Sequence, residues 1–220
     1  MTAVEIPFGP VEDVEVIGDP KLLRPPLLAI FASVTVPPDL VFPALDLAQR
    51  LRAAGVAVIG GFQTPLERCF LDTLIGGDQR LVICPAQPVD VARLTSGARK
   101  AVGQGRLAIV SPSGGFHRPT STAGAKRNER VVRLASRVMV VHARAGSRTF
   151  RAAALAVELG REVHAFDHDR NTDLFLIGAR PFARRAGIPD AWKSGGSADV
   201  HRAHPVEDDH EAGAHVGQYG

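Results

Sequence analysis

A chain of 220 residues, 45% of them hydrophobic, can bury one substantial core as a single domain with a trailing segment. No apolar run is long enough to span a bilayer, and Glu5, Glu12, Asp13 and Glu15 stand where a signal peptide would be basic, so a cytoplasmic protein without a membrane partner is expected. The two cysteines, Cys69 and Cys84, lie in no CxxC pair; they exclude a disulfide framework and are read as core thiols. The net charge of +3 is uneven, since six acids against two bases from Ala186 onward leave +7 on residues 1–185. That surplus is compatible with nucleic acid or nucleotides, and equally with a basic body that binds neither.

Residues 1–26 are rich in proline and acids and read as an arm. Pro25-Pro26 then delivers the chain into a buried strand over 27–34. Apolar residues at helical spacing between Asp39 and Ala54 predict a helix with Pro43 in its first turn and Gly55 at its end. Residues 56–59 form a second strand closed by Gly60-Gly61, and Thr64-Pro65-Leu66-Glu67 has the hydroxyl, proline and acid of a capping box opening a helix toward Gly76-Gly77. Strands over 81–84 and 107–110 flank a helix over 89–102, and the long polar loop from Ser111 to Thr122 follows. A helix from about Ala123 to Ser136 then feeds the apolar run 138–141, a strand covered on both faces. An Ala-rich helix over 149–159, a strand over 162–166 and a short helix over 172–177 complete the series. Six alternations of strand and helix predict a doubly wound, mostly parallel Rossmann-like α/β sheet with helices on both faces, occupying residues 27–185. Residues 186–220, poor in aliphatics and rich in His and Asp, read as disordered.

The centre of this pattern is residues 124–166. Gly146, Ser147 and Thr149 lie between a strand and a helix, where unpaired backbone N–H groups favour an anion, and Thr149 is a candidate N-cap. Gly60, Gly61 and Thr64 repeat that strand, glycine and capped-helix corner. Lys126, Arg127 and Asn128, at the start of the preceding helix, bring two cations and an amide to the same edge, where Arg127 can grip phosphate bidentately. Arg144, Arg148 and Arg151 read as surface charges. His164, Asp167, His168, Asp169 and the histidines beyond residue 200 meet no metal-ligand spacing, so no metal is expected. Ser111, Ser113 and His117 share a loop, which does not make a catalytic triad.

The run Arg127-Asn128-Glu129-Arg130-Val131-Val132-Arg133-Leu134-Ala135, the valine strand, Gly146-Ser147-Arg148-Thr149, the Ala-rich helix and Gly160-Arg161-Glu162-Val163-His164-Ala165-Phe166 resemble the DNA-processing protein A family (DprA, or Smf). That family reads RNR-I-I-A-G-L-S, a strand, a Ser-Gly turn, then T-A-x-x-A-x-x-x-G-R-x-V-x-A; Asn171, Leu174 and Gly178-Ala179 match its N-x-L-I-x-x-G-A. The likeness spans residues 27–180 loosely and 124–179 well. It implies a Rossmann-like domain of the SLOG superfamily that binds single-stranded DNA and helps load recombinase. Of the family's GSR after the first strand only Ser33 is matched; Gly60–Glu67 keeps the glycines of the second signature and lacks its Asp, and no winged-helix pattern is appended. The lonely guy nucleotide phosphoribohydrolases share the Arg127 and Thr149 positions, but Ala152 stands at the position of their Glu, and N-glycosidic cleavage needs a carboxylate beside the ribose.

The function expected is therefore binding rather than catalysis, with no cofactor. The phosphates of single-stranded DNA, in DNA processing or recombination, are held at Ser33, Gly60, Gly61, Thr64, Lys126, Arg127, Asn128, Gly146, Ser147 and Thr149. A sensor or binding module for a nucleotide or small phosphorylated ligand at the same edge is the alternative, and homodimerisation is left open.

Overall fold

The four apolar residues 138–141 divide between two hydrophobic layers: Val138 and Val140 pack on one face of the sheet, Met139 and Val141 on the other, all 0% exposed. Such an unbroken run is what a strand covered on both sides requires. The computed structural model describes residues 14–113 and 121–193. Its strands are β1 (Val14–Ile17), β2 (Leu28–Phe31), β3 (Val58–Gly60), β4 (Leu81–Ile83), β5 (Leu107–Pro112), β6 (Arg137–Val140), β7 (Glu162–Phe166) and β8 (Arg180–Phe182). The helices are α1 (Pro38–Ala53), α2 (Pro65–Ile75), α3 (Ser96–Gly103), α4 (Ser121–Leu134), α5 (Arg148–Glu158) and α6 (Thr172–Leu176). None is long and apolar enough to cross a membrane.

The strands make one eight-stranded sheet in the order β1-β5-β4-β3-β2-β6-β7-β8, parallel except where β1 meets β5. Helices α1 to α3 bury Leu47, Leu51, Phe70, Leu74 and Ala101 on one face. Helices α4 to α6 bury Val131, Leu134, Ala153, Ala156 and Leu174 on the other. The architecture is the expected doubly wound, mostly parallel Rossmann-like sheet.

Several local signals act as the residues suggest. Thr64 caps α2, its hydroxyl accepting from Glu67 N at 3.3 Å while Glu67 accepts from Thr64 N at 3.3 Å, the reciprocal pair of a capping box. Gly55, at φ +67°, takes the left-handed conformation just past α1. Other expectations are corrected. Pro43 lies in the second turn of α1, because the helix already starts at Pro38. The helix expected over 89–102 splits: a 3-10 turn occupies Val91–Arg93, and α3 begins only where Thr95 Oγ1 accepts from Ala98 N. The cap of α5 is Ser147, whose Oγ accepts from Phe150 N at 3.1 Å, so Thr149 falls inside the helix and is buried.

The ends of the domain also differ from expectation. Residues 14–17 are not part of an arm: they pair with β5, and Leu22 and Leu23 are buried beneath the sheet. Residues 186–193 are ordered against the core. Trp192, 3% exposed, stacks on Phe182 at a centroid distance of 5.1 Å and meets His164 edge-on, so these residues are not part of a disordered tail; residues 194–220 lie outside the described residues. The histidines beyond residue 200 and the centre of the 111–122 loop, with His117, lie outside the described residues. Of the two expected core thiols Cys84 is buried and Cys69 is exposed. Deleting the anchor at the end of the domain should be costly: Trp192→Ala is expected to lose ~3–5 kcal/mol, as for other buried aromatic truncations. Urea unfolding followed by circular dichroism reads it as a lower midpoint.

Candidate functional site

Strands β2 to β5 march outward to one side, and the chain then crosses back over α4 to place β6, β7 and β8 on the other side of β2. The loops after β2 and β6 therefore diverge at the carboxyl edge, where doubly wound sheets open a crevice. A cleft of about 860 Å³ occupies that point. It gathers Ser33 after β2, Thr64 before α2, Arg127 and Asn128 from α4, and Ser147 and Thr149 at the start of α5. Six of the ten residues read from the sequence thus share one wall.

The other four are placed differently. Gly61 lies beneath Arg127: a methyl group there would sit 2.6 Å from Arg127 Nε and 2.7 Å from its Cδ, so the glycine is the seat on which the guanidinium rests. Gly60 underlies the ring of Phe62 in the same way. Gly146, at φ +72°, shapes the turn that presents Ser147. Lys126 is exposed and lines a separate groove of about 440 Å³ with Arg148 and Arg151. The helix start is Ser121, so Lys126, Arg127 and Asn128 sit in its second turn rather than its first.

Arg127 is half-buried and makes no ion pair among the described residues. Its Nε and Nη2 donate to Asn128 Oδ1 at 3.0 and 2.7 Å, and the amide of buried Asn128 reaches Arg148 O. Burial draws the guanidinium below its usual value, opposed by the nearby charge of Glu67. Arg144, Arg148 and Arg170 line the same cleft with no carboxylate partner among the described residues. The Oγ of Ser33 is buried and without a protein partner there too. Ser147 Oγ uses a lone pair as the helix cap and keeps its O–H for the cleft.

Arg144 and Arg148, read from the sequence as surface charges, and Arg170 line the cleft as well, and so do Glu67 and His142, which were not read as site residues. Glu67, the only acid on its wall among the described residues, is 3% exposed. Its Oε1 accepts from Ala32 N at 3.0 Å, and its Oε2 accepts from Gln63 N at 2.9 Å and Thr64 N at 3.3 Å. Burial pushes its carboxyl upward, against these amides and Arg127. The capping-box pattern locates Glu67, but nothing local shows that it also reaches across to β2. His142, 8% exposed, lies just after β6, its carbonyl accepting from Ser33 N at 3.0 Å and its Nδ1 lying 2.8 Å from Asn171 Oδ1. Burial holds its pKa below the usual 6.5, helped by the charges of His168 and Arg170 and opposed by the Asn171 bond.

Sheet and cleft together define the class: a Rossmann-like protein with an arginine-lined crevice at its switch point. The family model described as DNA recombination-mediator protein A matches residues 14–176, and the chain belongs to that family. The structure is similar to DNA processing protein A from Helicobacter pylori, described for its single-stranded DNA binding mode, with 20% identity, a TM-score of 0.63 and coverage of 79% of this chain and 83% of that one. It is similar to DprA from Streptococcus pneumoniae at 15% identity and TM-score 0.62 over 77% of this chain, though it spans only 62% of that protein. A molybdenum cofactor binding protein from Rippkaea orientalis shares the fold at 14% identity and TM-score 0.51, covering 73% and 89% of the two chains. No curated protein matches significantly.

Because three backbone donors depend on Glu67, Glu67→Gln turns one acceptor into an amide NH₂ facing them. A stability loss of ~1–3 kcal/mol is expected from the unpaired donors, measured as a lower urea midpoint with the slope unchanged.

Proposed function

We propose that the cleft holds the sugar-phosphate backbone of single-stranded DNA and that the protein acts in DNA processing or recombination as a binding protein. The observation that carries this reading is Arg127: a partly desolvated cation, seated on Gly61, oriented by Asn128 and lacking an ion-pair partner among the described residues. A buried charge without a counter-charge is costly, and an arriving phosphate relieves that cost bidentately. Arg144, Arg148 and Arg170 extend the positive field, and Ser33, Ser147 and Thr149 add hydroxyls. Membership of a family described as a recombination mediator supports the reading, as does the single-stranded DNA binding of the H. pylori relative. No aromatic side chain lines the cleft among the described residues, so backbone contact rather than base stacking dominates, with little dependence on sequence. Hydrolysis of a bound nucleotide is disfavoured, since the one carboxylate on the wall among the described residues is engaged by three amides and residue 152 is a buried alanine.

The cleft volume also falls in the range of small-ligand pockets, which favours a free nucleotide as the second reading. A mononucleotide that raises the melting temperature as much as an oligonucleotide does would select it.

For the DNA reading, affinity for a labelled oligothymidylate should fall with salt at roughly −0.7 in log–log slope per phosphate neutralised. Arg127→Ala should weaken binding by about tenfold or more, the scale of a charge-assisted hydrogen bond. Gly61→Ala should do nearly the same by unseating the guanidinium. Fluorescence anisotropy measures all three, and salt-independent binding or wild-type affinity in both variants overturns the reading.

A further inference from the structure

We propose that His142 Nε2 accepts a hydrogen bond from a base N–H of the bound strand, which makes it a base-detecting contact in a cleft otherwise built for phosphate. This rests on the DNA reading above and adds to it. The argument begins at Asn171, which is 0% exposed. Its Nδ2 donates to Val141 O at 3.1 Å and Phe166 O at 2.9 Å, two carbonyls that can only accept. The amide is therefore fixed with Oδ1 toward His142, 2.8 Å from Nδ1. An amide oxygen cannot donate, so the proton of that bond belongs to Nδ1. In the neutral ring Nε2 is then a bare lone pair. The ring is part of the cleft wall, and Nε2 has no partner among the described residues.

The surroundings decide what can meet that lone pair. Arg127, Arg144, Arg148 and Arg170 offer donors alone, and they are suited to phosphate. A phosphodiester offers acceptors alone and would repel Nε2. The ligand must therefore bring an N–H or O–H. Inside a DNA strand both sugar oxygens are esterified, which leaves the N–H groups of the bases. Every base carries one on its pairing edge, so the contact detects an unpaired base without distinguishing which. A base already paired in a duplex has that donor engaged.

The test compares two short oligomers, both phosphorylated at each end so that no terminal hydroxyl remains: oligothymidylate and its abasic counterpart. His142→Phe should weaken oligothymidylate binding about five- to tenfold, the worth of one such hydrogen bond. Abasic binding and the salt slope of both probes should stay unchanged. Equal loss on both probes, or loss on neither, overturns the inference. A second measurement needs no variant. As the pH falls, Nε2 gains a proton and ceases to accept, below the ordinary imidazole range because burial disfavours the charged ring, so the wild-type preference for oligothymidylate over the abasic oligomer should decline toward acid. Around the ring, the four arginines stay charged, Glu67 is held by backbone amides, and His168 bonds Asp39 at 2.9 Å. These groups act on both probes alike, so the ratio isolates His142. A preference that strengthens toward acid overturns the inference. If wild-type protein binds neither probe, the DNA reading itself falls and takes this contact with it.

Discussion

The carboxylate of Glu67 is the constraint on which the site depends. One end of it stops β2 at Ala32, and the other closes the loop between β3 and α2 at Gln63 and Thr64. Strand ends that would otherwise splay at the carboxyl edge are thereby held together at the point where the sheet order reverses. The same loop carries Gly61, so the seat of Arg127 is fixed by an anion that never touches the guanidinium within ion-pair distance. A charge has been placed inside, satisfied by backbone alone, and its field still favours the cation above it. The cleft is thus built with its own acid already engaged, and its arginines have no carboxylate partner among the described residues.

Much of the fold was legible because its signals are local. The capping box at Thr64, the glycine after α1 and the valine run of β6 each act within a few residues. What escaped was decided at long range. Nothing near residues 14–17 announces that they pair with a strand over ninety residues away, and Trp192 looks like tail until Phe182 is placed against it. The site shows the same division. Lys126 and Arg127 are adjacent in sequence, but successive helical residues point ~100° apart, so one enters the cleft and its neighbour faces the groove with Arg148 and Arg151. Asn128 turns inward to steer Arg127. His142 carries no motif of its own; its role appears only once Asn171 folds back beside it.

The tertiary frame brings the groups of the cleft together from separate elements. Helix starts, hydroxyls and guanidinium groups converge, as they do in many phosphate sites of this fold class. A hydrolytic member would also need a free carboxylate or an activated nucleophile beside them. Among the described residues Glu67 is held by three backbone amides, and Ala152 lines the neighbouring groove between α4 and α5.

The far edge of the sheet carries a consequence for how the protein behaves in company. Among the described residues β8 is the outermost strand on its side, three residues long, with Arg180 exposed and Pro181 at its centre. A proline has no amide hydrogen to offer an incoming strand, and a charged neighbour resists burial. The exposed edge of β8 is therefore a poor template for pairing with the sheet of another copy.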